Sequence, residues 1–138
     1  MSVSGLVPAR FLCLTAHLIM TVSIFWSREA NVKAGLPLSY TAEDYEQQDT
    51  RFIAALGLSL VCFGLEFFGF FGGISTFMPS AALISTSLHA AACVTLAFFV
   101  WDVWDCHLYW WIFGVFAALP ALVEVCLLIG VFGLKKTI

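Results

Sequence analysis

The chain has 138 residues, 62% of them hydrophobic and 11% charged, with a formal net charge of −3 and a mean hydropathy of +0.98. Soluble domains carry about 45–50% apolar and about 25% charged residues, so this composition excludes a water-soluble fold and makes lipid the solvent. Six Lys and Arg are too few for a nucleic-acid binder that neutralises phosphates, and five cysteines without a C-x-x-C exclude a zinc ribbon, a thioredoxin-type centre and a disulfide scaffold.

Charged residues divide the chain into four apolar stretches, 6–26, 52–78, 81–101 and 108–134. At 1.5 Å per residue the shorter two reach roughly 31 Å, which matches a hydrocarbon core of about 30 Å. The longer two must tilt or protrude. Apolar and polar residues do not alternate with period two, which excludes a β-barrel. The expected fold is all-α: one domain over 1–138, an integral-membrane antiparallel four-helix bundle with short loops and both termini on one side.

The first stretch carries Arg10 near one end and places Pro8 where a first helical turn tolerates it. Phe25-Trp26-Ser27-Arg28-Glu29 makes a poor cleavage site, so this stretch reads as a retained span rather than a signal peptide. The loop 27–51 follows. Within it Thr41-Ala42-Glu43-Asp44 has the spacing of a capping box, so the second helix should begin above the membrane with a polar, acid-biased extension. Met78-Pro79-Ser80 predicts a break with an N-cap serine, joining helices two and three in a tight antiparallel hairpin. Trp26, Trp101, Trp104, Tyr109, Trp110 and Trp111 fall at span ends, the depth of the headgroups.

Lys and Arg divide evenly: Arg10, Lys135 and Lys136 on the terminal side, Arg28, Lys33 and Arg51 in the first loop. Lys135 and Lys136 immediately beside a span favour cytosolic termini, which makes 27–51 a non-cytosolic loop.

Small and polar residues mark the helix faces. Ser59, Cys62, Glu66, Gly69 and Gly73 recur at spacings of three and four in helix two. Ala82, Ser85, His89 and Ala92 do so in helix three; Gly114, Ala117, Ala121 and Glu124 in helix four; Cys13, His17 and Met20, more loosely, in helix one. Lipid supplies no hydrophobic drive between helices, so small residues that permit close approach mark the packed side. Gly69, Gly73, Gly114, Ala117 and Ala121 are therefore the expected helix-packing positions, and the phenylalanines are expected to face lipid. Cys13, Cys62, Cys93 and Cys126 read as small packing residues, and Cys106 stands alone in a loop.

The stripes converge on Glu66, Glu124, His17 and His89. Counted along the helices at 1.5 Å per residue, the carboxylates lie roughly 15–16 Å and the histidines about 9 and 12 Å from the terminal side. A charge at mid-bilayer costs about 2.5–3.5 kcal/mol on insertion scales, so such a layer has a role. Three readings stand. The layer can fix packing within the chain or against a partner's helix. It can relay protons, as in a small proton-coupled transporter, since imidazoles titrate near neutrality. It can hold metal, although no Glu-x-x-His pair is present. Two carboxylates without a basic partner are thin equipment for a transporter, and there are no inverted repeats. No catalytic constellation and no cofactor motif is present. Lys135 and Lys136 also sit third and fourth from the end, the spacing of a dilysine retrieval signal for the endoplasmic reticulum.

The string as a whole resembles one family. Ser4-Gly5-Leu6-Val7-Pro8, Arg10-Phe11-Leu12 and Ala16-His17-Leu18 resemble the opening of the transmembrane protein 107 family. So do Phe25-Trp26-Ser27-Arg28, Leu36-Pro37-Leu38, Glu43-Asp44-Tyr45 and Gln48-Asp49. Ala118-Leu119-Pro120-Ala121 with Glu124, and Val131-Phe132-Gly133-Leu134-Lys135-Lys136, are similar to its end. The resemblance implies a four-span scaffold of the ciliary transition zone, in the Meckel-syndrome module. It would work with tectonic and other transition-zone membrane proteins to build the ciliary diffusion barrier, and through that affect ciliogenesis and hedgehog signalling. Implied partners are those proteins and membrane lipid, with a second copy of the chain as a further candidate. The implied location is the ciliary transition-zone membrane, reached by transit through the endoplasmic reticulum; a read dilysine would instead favour retrieval to the endoplasmic reticulum, and a masked or non-functional signal reconciles the two.

Overall fold

A computed structural model describes residues 3–73 and 79–130. Four helical segments among them are long and apolar enough to cross a membrane: Gly5–Ser27, Ala42–Phe71, Pro79–Trp101 and Cys106–Leu128. No strand occurs among the described residues. The first span is α1 (Val3–Ser27), the second α3 (Ala42–Phe71) and the third α4 (Pro79–Trp101). A short α2 (Glu29–Ala34) lies in the first loop. The fourth span is composite: a 3-10 turn Cys106–Leu108, α5 (Tyr109–Phe113), a π-helical turn Gly114–Ala118, and α6 (Leu119–Leu128).

The Thr41 capping box forms as its spacing predicts. Thr41 Oγ1 accepts from the Asp44 amide at 3.1 Å, and Asp44 Oδ2 accepts from the Thr41 amide at 3.2 Å. Three local expectations change. Pro8 lies inside α1, whose helix already runs from Val3, so it is not in the first turn. Ser80 is a helical residue of α4 rather than its N-cap. The end of the second span and the 74–78 connection, with Met78, lie outside the described residues, as do the end of the fourth span and Lys135 and Lys136.

The hairpin of helices two and three is the larger correction. The third span packs along the first, the fourth closes against the second, and the first also touches the second and the third the fourth. Among the described residues, neither the pair of first and fourth spans nor the pair of second and third brings its backbones comparably close. In cyclic order the spans therefore run first, third, fourth, second, and helices two and three sit across a diagonal. A short connection constrains only the ends it joins; complementary small faces decide which helices lie side by side.

The 27–51 loop is folded onto the bundle. Arg28 Nε donates to Asp49 Oδ1 at 2.6 Å, joining the start of α2 to the extension of α3. Asn31 Nδ2 donates to the carbonyls of Phe99 (3.1 Å) and Trp104 (2.8 Å), and so caps the end of the third span. That connection is tight: Val103 holds φ = 51°, a conformation costly for a β-branched residue. Beneath it Ile24, Val32, Phe52, Leu56, Leu96, Phe99, Cys106 and Tyr109 form a buried cluster. Phe52, Phe99 and Tyr109 meet there edge-on or tilted, with centroids 5.4–5.9 Å apart.

The phenylalanines therefore divide. Phe11, Phe25, Phe68, Phe71 and Phe98 are exposed to the surround, whereas Phe52, Phe63, Phe70 and Phe99 are buried. Lipid tails are as apolar as a core, so apolarity alone does not say which way a ring points.

Candidate intramembrane polar site

Each span contributes to one buried polar cluster. On α1, Arg10, Leu14, His17, Thr21 and Ile24 are buried at spacings of four, three, four and three, one stripe of the helix. On α3 the buried positions around Glu66 are Ser59, Phe63, Gly69 and Phe70; on α4 they are Ala82, Ser85, His89 and Ala92. On the fourth span Ala117, Ala121 and Glu124 are buried.

The structure joins the expected residues in two groups. In the first, His17 Nδ1 and His89 Nδ1 are 2.7 Å apart, and His89 Nε2 lies 2.6 Å from Glu66 Oε2. Ser85 Oγ also donates to Glu66 Oε2, at 3.3 Å. The Phe63 ring meets His17 edge-on at 4.6 Å. The second group is an ion pair, Arg10 Nη2 to Glu124 Oε1 at 3.6 Å. Arg10 Nε donates to Ser85 Oγ at 3.2 Å and links the two groups; its guanidinium lies 5.4 Å from the Phe70 ring centre. His17, His89, Glu66, Arg10 and Glu124 are all at most 2% exposed. Glu66 Oε1 is buried with no hydrogen-bond partner among the described residues.

Arg10 corrects the sequence reading, which left both carboxylates without a basic partner. A lone arginine near a span end resembles a headgroup anchor, and its long side chain can turn to either side. The signal was its place seven residues before His17, two turns along the same stripe.

The packing positions separate as well. At Gly69 a built Cβ would stand 1.7 Å from Glu124 Oε1, so the missing side chain is the space the carboxylate fills. Ala117 and Ala121 are buried as expected. Gly73 and Gly114 are not packed among the described residues: both are exposed, with none of those residues within 4 Å of a built Cβ. Gly73 has φ = +76°, the left-handed conformation, next to the end of α3, and Gly114 opens the π-helical turn ahead of Pro120. Cys126 is exposed rather than packed, and Cys106 is buried in the loop-side cluster.

Outside the membrane layer, Asp105, Cys106 and His107 bring a carboxylate, a thiol and an imidazole within 4.8 Å of one another. Asp105 Oδ1 is committed locally, accepting from the His107 amide at 2.8 Å and lying 2.7 Å from its Nδ1. In the first loop the Arg28 guanidinium is held above its ordinary value, chiefly by the hydrogen bond to Asp49. Glu29 lies below its ordinary value through its hydrogen bond to Lys33.

Of five well-formed cavities among the described residues, none is lined by Arg10, His17, Glu66, Ser85, His89 or Glu124. These side chains bond to one another across all four spans, an arrangement that can hold the helices in register.

The family model TMEM107, described as "Transmembrane protein", matches residues 6–128. "Transmembrane protein 107" of Mus musculus is 50% identical over 134 residues, 97% of this chain and 96% of its own length. The Rattus norvegicus protein of that name is 49% identical with the same coverage. That of Danio rerio is 47% identical over 129 residues, 94% of this chain and 96% of its own. No solved structure matches the chain.

Proposed function

Because the chain belongs to the transmembrane protein 107 family, we propose that it is a non-catalytic scaffold of the ciliary transition zone, where it assembles with other membrane proteins of the Meckel-syndrome module. One observation carries the scaffold part of this reading: Arg10, His17, Glu66, Ser85, His89 and Glu124, drawn from all four spans, are bonded to one another. The carboxylates that do line cavities among the described residues, Glu43 and Glu46 in one and Glu29, Glu46 and Asp49 in another, belong to the first loop and the α3 extension, outside the membrane layer. What the protein offers the outside is a lipid-facing surface and the folded 27–51 loop, whose α2 and α3 extension are tied together by Arg28 and Asp49. Those are surfaces for partners rather than for substrates. The transport alternative has against it that Arg10, His17, Glu66, His89 and Glu124 are at most 2% exposed and line none of those five cavities.

The experiment is a tagged copy in ciliated cells, imaged against basal-body and axoneme markers. A narrow band between the two is expected, together with recovery of other transition-zone membrane proteins on gentle solubilisation. A reticular or plasma-membrane signal that leaves the cilium base empty overturns the reading.

A further inference from the structure

We propose that Asp105, Cys106 and His107 form a binding site for one zinc ion on the loop side of the bundle. The three are consecutive in the chain and make the turn that opens the fourth span. Their ligand atoms, a carboxylate oxygen, the thiol sulfur and a ring nitrogen, lie within 4.8 Å of one another. Ligands of tetrahedral zinc, bonded at about 2.0–2.3 Å, stand roughly 3.3–3.7 Å apart. Closing the trio onto an ion takes about 1 Å of movement, within reach of the half-exposed Asp105 and His107 side chains.

The donors are already oriented. Cys106 is the fixed member, 4% exposed and part of the cluster that holds Ile24, Val32, Phe99 and Tyr109. The His107 amide donates to Asp105 Oδ1 at 2.8 Å, and His107 Nδ1 lies 2.7 Å from the same oxygen. Asn31 anchors the turn from behind through the Trp104 carbonyl. A second observation locates the ion. α2 ends at Gly35, where a built Cβ would stand 2.5 Å from Asp105 Oδ1 and 3.1 Å from Cys106 Sγ. Oxygen and sulfur thus face one point. Those distances are too close for carbon but leave room for zinc, whose bonds to oxygen and sulfur are about 2.0–2.2 and 2.3 Å. The φ of −88° at Gly35 does not itself require glycine.

Charge balances as well. Zinc takes Cys106 as thiolate, the Asp105 carboxylate and a neutral imidazole, so the filled site carries no net charge. Binding sends the thiol proton to solvent, and the ion replaces the hydrogen between Oδ1 and Nδ1, leaving His107 with its hydrogen on Nε2. Thiolate and imidazole select zinc over calcium or magnesium, which take oxygen ligands. Three protein ligands leave the fourth position to water.

The site stands apart from the scaffold reading, since it needs only the loop residues. The test uses the full chain in lipid nanodiscs, with Co2+ as the spectroscopic substitute for zinc. Expected is one equivalent of Co2+ with a sulfur-to-cobalt charge-transfer band in the near ultraviolet, displaced by one equivalent of Zn2+. Cys106→Ser should abolish the band. His107→Ala should weaken Zn2+ binding by more than about 100-fold, beyond the range for groups that only support a ligand. Gly35→Ala, whose Cβ takes the shared space, should weaken it too. Cys126→Ser, at an exposed cysteine of the fourth span, should change nothing. No charge-transfer band in the unmodified chain overturns the proposal. So does a band that survives Cys106→Ser, or Co2+ held by oxygen ligands alone. If Cys106→Ser fails to fold, His107→Ala decides, because its ring is exposed, and undiminished Zn2+ affinity there overturns the site.

Discussion

Replacing Gly69 by alanine probes the closest approach in the bundle. The added Cβ would stand 1.7 Å from Glu124 Oε1, 2.5 Å from Cδ and 2.9 Å from Cγ, every one of them an atom of one side chain. Restoring ordinary contact requires the Glu124 carboxylate to retreat by about 1.7 Å. Elsewhere a flexible side-chain end would move at little cost. Here the carboxylate is buried and lies 3.6 Å from Arg10, so a retreat that lengthens this ion pair exposes neither charge to water. Overpacking alone costs about 1–3 kcal/mol. Full separation of the pair would raise this towards about 3–5 kcal/mol, the range for breaking a buried ion pair. The assay is reversible unfolding in mixed micelles with rising dodecyl sulfate, followed by circular dichroism. Gly64 is the control, since a Cβ there meets nothing within 4 Å, and Gly64→Ala should stay within about 0.5 kcal/mol of the parent. In a Glu124→Ala background the penalty of Gly69→Ala should largely vanish, because the colliding atoms are gone. If Gly69→Ala is as mild as Gly64→Ala, or its cost survives in that background, the carboxylate does not occupy the space of the missing side chain.

Asn31→Ala removes the donor to the Phe99 and Trp104 carbonyls; Phe99 O keeps the Trp104 amide, whereas Trp104 O loses this bond. A cost of about 1–3 kcal/mol is expected, with faster amide hydrogen exchange confined to α2 and the connection after the third span; unchanged exchange there would refute the capping role. Glu29 titrates below its ordinary value of 4.5 because of Lys33, so the pair's contribution is present above that value and lost as pH falls through the lower folded one. The Glu29 carboxyl ¹³C resonance in Lys33→Ala should therefore titrate at higher pH than in the parent, and coincident curves would show that the pair does not form.

Much of this architecture was legible in the sequence, for reasons that also mark where reading stops. Four spans follow from composition and length, since lipid sets both. The Thr41 capping box is local chemistry, complete within four residues. The stripe logic brought out Glu66, Gly69, His89, Ala117, Ala121 and Glu124 because polar and small residues are scarce in a span and must turn inward. It failed for Gly73 and Gly114, where glycine serves backbone geometry at a helix end and at a π-helical turn, since spacing does not separate those uses from packing. It failed for Phe52, Phe63 and Phe99 because lipid and core are equally apolar. Arg10 was missed because a charge near a span end has two outlets, and only the tertiary position of Glu124 and Ser85 selects the inner one.

The placement of the polar bonds bears on how such a chain finds one structure. Small faces bring the spans together around the ring, but between greasy helices many rotations and pairings have similar packing energy. Arg10 to Glu124 and Glu66 to His89 connect the two pairs whose backbones do not lie close, first with fourth and second with third. Each is a link across the bundle axis. A wrong cyclic order, or one helix turned by a third of a revolution, would leave a carboxylate, imidazole or guanidinium facing hydrocarbon at about 2.5–3.5 kcal/mol or more per charged group. Interhelical hydrogen bonds in membranes average only about 0.6 kcal/mol, because unfolded helices also find partners. The layer therefore adds little to the depth of the native state and much to the gap above the alternatives.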